Sequence, residues 1–337
     1  MVCLTLFGKT FSDMLRDYFI ATGAVYLACL LAAQIRTYLI HGVHEATLDL
    51  LPSGLVRAKI PTIISWRPGQ HVFVRFFALG LHSLTAHPFT ICSIAYNPEE
   101  TGKASEIVFL IKPRRGITAR LAKVAEKSPA CTKKVLLEGP YGGLSETNLA
   151  QFDQALIIAG GSGGGFSLAV AEEALKHPAL AHGNLQIIFS TRNPTMADWY
   201  IEELETKLST FNASKHTSVS VHITTQTQPQ TQPPSHNDTA KETKPEPDKD
   251  LPDQNVNVNE NDNTSEQYSF SVHRQFRPDI PGIVAAAADG VSGKRVGVFV
   301  CGPASMLHDT RNAAAMAQRG VLRGVVEEVF LHTEPFS

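Results

Sequence analysis

The chain has 337 residues, 43% of them hydrophobic, and a formal net charge of −2. That length holds about two domains, and the near-neutral charge offers nothing with which to grip nucleic acid, so no nucleic-acid partner is expected. Five cysteines (Cys3, Cys29, Cys92, Cys131 and Cys301) are scattered without a C-x-x-C pair. This argues against a disulfide framework or a zinc site and fits soluble parts in a reducing compartment, with no metal ligands expected.

Tyr18 to Ile35 forms 18 residues without a formal charge, bracketed by Arg16-Asp17 and Arg36. A membrane-spanning helix needs about 20, so residues 1–40 are read as a region with one transmembrane helix. Tyr18, Tyr26 and Tyr38 include its interfacial anchors. A buried helix of a soluble domain is the competing reading, because Thr22 and Gln34 dilute the stretch. A signal peptide fits less well, since Lys9 and Arg16 sit far from Met1 and no A-x-A site precedes a mature domain. Arg36, Arg57, Lys59 and Arg67 follow the helix, and the positive-inside tendency puts everything downstream in the cytoplasm.

Residues 41–148 read as short β segments joined by turns, among them 55–60, 71–76, 107–112 and 134–138, a pattern expected of an antiparallel β-barrel. Three motifs stand on it. In His87-Pro-Phe-Thr-Ile-Cys-Ser93, Pro88 fixes an extended entry, so that Phe89 and Thr90 could be presented to a planar ring from a strand edge. An ordinary strand start is the plainer reading. In Lys112-Pro-Arg-Arg-Gly-Ile-Thr118, Gly116 and Thr118 open a helix over 119–126 among Arg114, Arg115 and Arg120. That is either an anion site or a capped surface helix. Glu138-Gly-Pro-Tyr-Gly-Gly143 makes a rigid turn at the barrel exit.

Residues 149–337 read as a doubly wound parallel-sheet domain. Ala155 to Ala159 has the length of a buried parallel strand, and five glycines then fall within Gly160 to Gly165 ahead of a helix over 166–175. Strand, glycine turn and helix together make a phosphate-binding corner, although the spacing departs from G-x-G-x-x-G. After the next strand, 185–190, Arg192 stands where a 2′-phosphate could be paired. Residues 226–267 hold only Ala240, Leu251, Val256 and Val258 as apolar members and a local charge of −6, so a disordered insertion is expected there. His273 to Arg277 is read as a connector. Strand 294–301 ends in Cys301, and Gly302-Pro303 turns the chain into a further helix. The chain closes on a strand leading to Glu334-Pro-Phe336.

In this order the barrel, His87-Pro-Phe-Thr90, Gly116-x-Thr118, Gly139-Pro-Tyr-Gly-Gly143, the glycine corner and Cys301-Gly-Pro-Ala-Ser-Met306 resemble the ferric-chelate reductase and NADPH oxidase family, and more a fungal-type metalloreductase than an oxidase. The resemblance implies a ferredoxin-reductase-like pair of domains carrying FAD and NADPH. His87, Pro88, Phe89, Thr90, Ile91, Cys92 and Ser93 would hold the flavin, with Thr90 beside its reactive nitrogen. Gly116 and Thr118 would meet the FAD pyrophosphate. NADPH would lie across Gly160, Gly161, Ser162, Gly163, Gly164, Arg192, Cys301, Gly302 and Pro303, with Cys301 close to the hydride-donating carbon. Phe336 would shield the flavin ring, although the family's aromatic often stands one position later. Hydride would pass from NADPH to FAD, and single electrons through membrane haem to a ferric or cupric ion outside the plasma membrane. No histidine precedes His41, so haem is expected only in a longer form or on a partner subunit. Delivery of electrons to oxygen, and a haem-free, non-catalytic partner of an active reductase, are the competing functions.

Overall fold

The computed structural model describes residues 11–96, 105–144, 149–177, 180, 184–225, 268–289 and 295–335. The insertion expected at 226–267 and the terminal Phe336 lie outside the described residues. Helix α1 (Phe11–Ile35) continues through a π-helical turn, Arg36–His41. It begins ahead of the charge-free stretch, and its first turns carry the i,i+3 pair Asp13–Arg16 at 3.2 Å. Phe19, Tyr26 and Leu31 are 69%, 66% and 60% exposed. Asp13–His41 is long and apolar enough to cross a membrane by length and composition, and its most apolar stretch is not buried against the other described residues. Apolar side chains that point outward without a core to meet call for an apolar surrounding.

Strands β1 (Val43–Leu50), β2 (Val56–Thr62), β3 (His71–Phe76), β4 (His87–Thr90), β5 (Ser105–Ile111) and β6 (Cys131–Tyr141) form one antiparallel sheet in the order β4-β3-β6-β1-β2-β5. Period-2 alternation decides the inside: Val56, Ala58 and Ile60 meet Val72, Val74, Phe76, Ile107 and Phe109 in one core. Beyond β4 the chain reaches across to β5, where Cys92 N donates to Val108 O at 2.8 Å. The sheet is thereby curled into a half-barrel. Helix α2 (Ile117–Lys127) plugs it with Ile117, Leu121 and Ala125.

The second sheet is wholly parallel, in the order β10-β9-β8-β7-β11-β12. Its strands are β7 (Gln154–Gly160), β8 (Asn184–Thr191), β9 (Thr217–Ile223), β10 (Ser269–Arg274), β11 (Arg295–Gly302) and β12 (Glu328–Pro335). Helices α3 (Gly164–Lys176) and α4 (Pro194–Thr210) cover one face, packing on Ile157, Ile187 and Phe189. Helices α5 (Ile280–Asp289) and α6 (Ala304–Leu322) cover the other, on Leu156, Ile158 and Val298. Every residue of β7 is buried, the continuous apolar strand that a doubly covered sheet requires. In sequence the strands step outward from β7 through β8, β9 and β10, and β11 then lies on the other side of β7. The strand order therefore reverses at β7 and β11, where such folds bind ligands.

One local expectation is corrected. His273 and Arg274, read as connector, are the end of edge strand β10, which pairs with β9 from Ser269↔Ser218 to Arg274↔Ile223. Only Phe270 and Val272 pack on the core from this strand, too little alternation to announce it. The pairing sets His222 against His273, with rings stacked at 4.6 Å. Burial first, then the neighbouring His273, lowers the His222 pKa from 6.5 to about 4. The unfolded chain thus binds more protons than the folded one between about pH 6.5 and 4. Stability present above pH 6.5 is lost as pH falls through that window, by roughly 2–3 kcal/mol. Urea unfolding at pH 7 and pH 4.5 should show this loss, and His222→Gln should flatten it.

Candidate active site

The glycine corner is shaped by close approach as much as by turning. A Cβ on Gly163 would stand 2.3 Å from the carbonyl oxygen of Cys301 on β11, and one on Gly160 would stand 2.8 Å from Pro303 Cδ. The turn after β7 is thus pressed against the Cys301-Gly302-Pro303 turn after β11. Gly161, at φ +56°, has open space where a side chain would project. Beside it the first N–H groups of α3 are free of helical partners, which makes that open side a fit for phosphate. Gly164 lies under Phe189 and Tyr200, 3.0 and 3.1 Å from where a Cβ would be. Gly165 lets the same helix approach the barrel, since its Cβ would fall 2.3 Å from Cys92 Sγ.

That approach creates a cleft of about 360 Å³ between the two sheets, a volume in the range of small-molecule sites. From the barrel come Pro88, Phe89, Thr90 and Cys92, with Phe109 behind them. From the nucleotide sheet come Ser162, Phe166, Cys301 and Glu334. Strand β4 is held by β3 in the register His71↔Thr90 and Val72↔Phe89, and Phe89 leans on Phe109 with ring centroids 5.8 Å apart. One wall is therefore apolar and carries a hydroxyl at its rim. Lys112, Arg114 and Thr118 line the same cleft. Thr118 Oγ1 accepts from Arg114 N at 3.0 Å and fixes the turn that opens α2, and Gly116, at φ +68°, is the residue that turns into it. Two cations at a helix N-terminus suit a pyrophosphate. Apolar wall, hydroxyl and cations together fit a flavin dinucleotide.

The other expected residues are placed as follows. Ile91 is wholly buried in the barrel core. Ser93 Oγ donates to Glu106 O at 2.8 Å and accepts from Val108 N at 3.1 Å, tying β4 to β5. His87 Nε2 meets Thr85 Oγ1 at 2.9 Å outside the cleft lining, and burial first, then His82, lowers its pKa. Arg192 is exposed directly after β8 and is not among the residues that line the cleft, and Thr225 Oγ1 donates to its carbonyl. Asn193 caps α4, accepting from Thr195 N at 3.0 Å, and reaches Ser53 O at 3.3 Å.

Both cleft thiols are held in the protonated form. Burial pushes Cys92 up to about 12, and burial with Glu334 beside it pushes Cys301 up further. Cys301 is thus a neutral, polarizable surface and not a thiolate. The sequence did not single out Glu334 and His332. Cys301↔Glu334 is a register pair of β11 and β12, His332 Nε2 lies 3.6 Å from Glu334 Oε2, and the His332 ring stacks on Phe166 at 5.9 Å. Nor did it show the tie between the halves. Tyr96, following the barrel motif, donates to Glu172 Oε1 of α3 at 2.5 Å, and Lys207 of α4 pairs with Glu172 Oε2.

A curled antiparallel sheet and a doubly wound parallel sheet enclosing one cleft define the two-domain, ferredoxin-reductase-like class of flavin and nicotinamide-nucleotide proteins. The fold is shared with a ferredoxin NADP+ reductase from Neisseria gonorrhoeae (TM-score 0.50, 14% identity, 87% of this chain and 97% of that one). It is also shared with the CS-b5R domains of human Ncb5or (TM-score 0.50, 14% identity, 85% and 69%). Residues 40–145 match the FAD-binding domain family and residues 152–315 the ferric reductase NAD-binding domain family. It is 28% identical over 206 residues to a probable cell surface ferric reductase, kap2, of Aspergillus oryzae, covering 56% of this chain and 26% of that protein. It is 31% identical over 187 residues to ferric reductase transmembrane component 4 of Saccharomyces cerevisiae, covering 54% and 24%. The chain thus spans about a quarter of the length of the curated relatives it matches.

Proposed function

We propose that the chain is the NADPH- and FAD-binding part of a membrane-tethered ferric or cupric reductase, with both nucleotide sites on the cytoplasmic side of the plasma membrane. One observation carries this reading: Thr90 of the barrel motif and Cys301 of the strand-order reversal line the same cleft, although 211 positions separate them in sequence. When bound, the two cofactors supply hydride transfer and release of single electrons. The chain's own residues bind, orient and exclude water. Pro88 and Phe89 support the flavin ring, and Thr90 offers a hydroxyl to its reactive nitrogen. Lys112, Arg114 and the α2 N-terminus offset the FAD pyrophosphate charge.

Ser162 and the glycine turn receive the NADPH pyrophosphate, and Arg192 pairs with the 2′-phosphate. Cys301, kept neutral, borders the nicotinamide without adding charge where hydride moves. Phe336, outside the described residues, is the candidate that would shield the ring in the absence of nicotinamide. The metal ion is the substrate. Haem serving it would need paired imidazoles within the membrane, and the candidate span Asp13–His41 carries a single histidine, His41, at its end.

The test is to load the chain with FAD, exclude oxygen and follow the flavin absorbance on adding NADPH or NADH. Bleaching by NADPH at lower concentration is expected, and Arg192→Ala should reduce that preference by about 10- to 100-fold through loss of a charged hydrogen bond. Bound flavin that neither nucleotide bleaches would remove catalysis from this chain.

A further inference from the structure

At the foot of α1 two arginines meet the barrel without a carboxylate partner. Arg36 Nη2 donates to Tyr141 Oη at 2.9 Å, and Arg75 Nη1 of β3 donates to Tyr38 Oη at 2.8 Å. Neither arginine makes an ion pair among the described residues, and the Nε atoms of both are buried without a partner. Elsewhere at the surface of the barrel, Arg57 has Glu203 at 3.4 Å. Glu138 is the acidic group nearby. It accepts from Tyr141 Oη at 3.4 Å and lines the same small hollow as Arg75, Tyr38 and Gln34. Two guanidinium groups against one carboxylate leave a surplus positive charge. Half-buried guanidinium with unused donors asks for an anion, and its planar fork matches phosphate.

The position says which anion. These groups sit at the last turn of the stretch long enough to span a bilayer, beside Leu39 and Ile40, which are 79% and 68% exposed. Apolar side chains next to a tyrosine and a cation are the pattern of a headgroup boundary. We infer that Arg36 and Arg75, framed by Tyr38 and Tyr141, form a site for the phosphate of an anionic phospholipid headgroup, which seats the barrel against the cytoplasmic leaflet. This rests on the membrane reading above. A soluble anion could satisfy the same forks, but it would leave Leu39 and Ile40 in water. The negative leaflet adds attraction for each cation near its surface.

The test uses the full chain, purified in detergent and offered phosphatidylserine and phosphatidylcholine together, with retained lipid counted by native mass spectrometry. Retention of phosphatidylserine over phosphatidylcholine is expected. It should fall about 5-fold in Arg36→Gln or Arg75→Gln and about 30-fold in the double variant. Glutamine can still bond the tyrosine hydroxyls, an unchanged melting temperature reports an intact barrel, and Arg75→Lys keeps the charge as a second variant should glutamine disturb folding. Equal retention of both lipids, or no change in the double variant, overturns the site. Displacement of the lipid by inorganic phosphate at matched concentration overturns its assignment to a headgroup. Extraction of the chain from vesicles by alkaline carbonate would instead remove the membrane reading, and this inference with it.

Discussion

Replacing Gly163 by alanine is expected to cost about 3 kcal/mol or more of folding stability, the larger of two effects at the glycine corner. The new methyl would stand 2.3 Å from Cys301 O, 2.9 Å from Cys301 C and 3.0 Å from Cys301 Sγ. Two of these are backbone atoms of a central strand that pairs on both sides, with β7 and with β12. They cannot yield without loosening the sheet. Gly161→Ala, two residues away, serves as the control. It has room but a φ of +56°, so only the left-handed backbone is penalised, at about 1 kcal/mol. Urea unfolding of the two variants separates the effects. A Gly163→Ala protein as stable as Gly161→Ala would mean that the turn is not packed on β11, and the shared edge of the cleft would have to be redrawn.

The second large effect is expected at Glu172, which joins three elements. Its side chain is 6% exposed and that of its partner Lys207 is 20% exposed. One carboxylate oxygen takes the Lys207 ammonium and the other takes Tyr96 Oη, while Lys176 lies 5.0 Å over the Tyr96 ring. Glu172→Leu leaves a largely buried ammonium uncompensated and a hydroxyl unpaired, for a loss of about 3–5 kcal/mol. Glu172→Leu with Lys207→Met should recover most of it, because apolar replacement of both members of a buried pair is close to neutral. If the double variant is no better than the single, the pair is not coupled as drawn. Tyr96 adds a signature at high pH. Burial first, then its bond to Glu172, raises its pKa above the usual 10. The folded chain then holds a proton that the unfolded chain releases, so stability falls as pH rises through about 10, and Tyr96→Phe should remove that slope.

Much of the molecule was legible because local chemistry and the fold agree. β3 occupies His71–Phe76, where alternation placed it, and β7 runs Gln154–Gly160 over the apolar run read at 155–159. The helix read at 119–126 begins two residues earlier, at Ile117, because helix termini carry weak sequence signals. β10 was missed for want of apolar positions. In the cleft, Thr90, Cys92, Thr118, Ser162 and Cys301 were named from motifs and do line it. Glu334 was not, because a glutamate near the end of a strand has no local mark, and its register with Cys301 exists only once β12 pairs with β11.

What the sequence determined by itself was most of the elements and their order: a helix around a charge-free stretch, alternating barrel strands, then buried strands alternating with helices. Period and turn chemistry are written residue by residue, and they survive without knowledge of distant neighbours. What only the tertiary structure decided was proximity between residues far apart in the chain. It set Gly163 against Cys301, Gly165 against Cys92, Tyr96 against Glu172, and two arginines, one from the π-helical turn after α1 and one from β3, at the foot of one helix. Such contacts depend on strand order and on how two sheets face one another. No local pattern encodes either, because each follows from burying both cores at once.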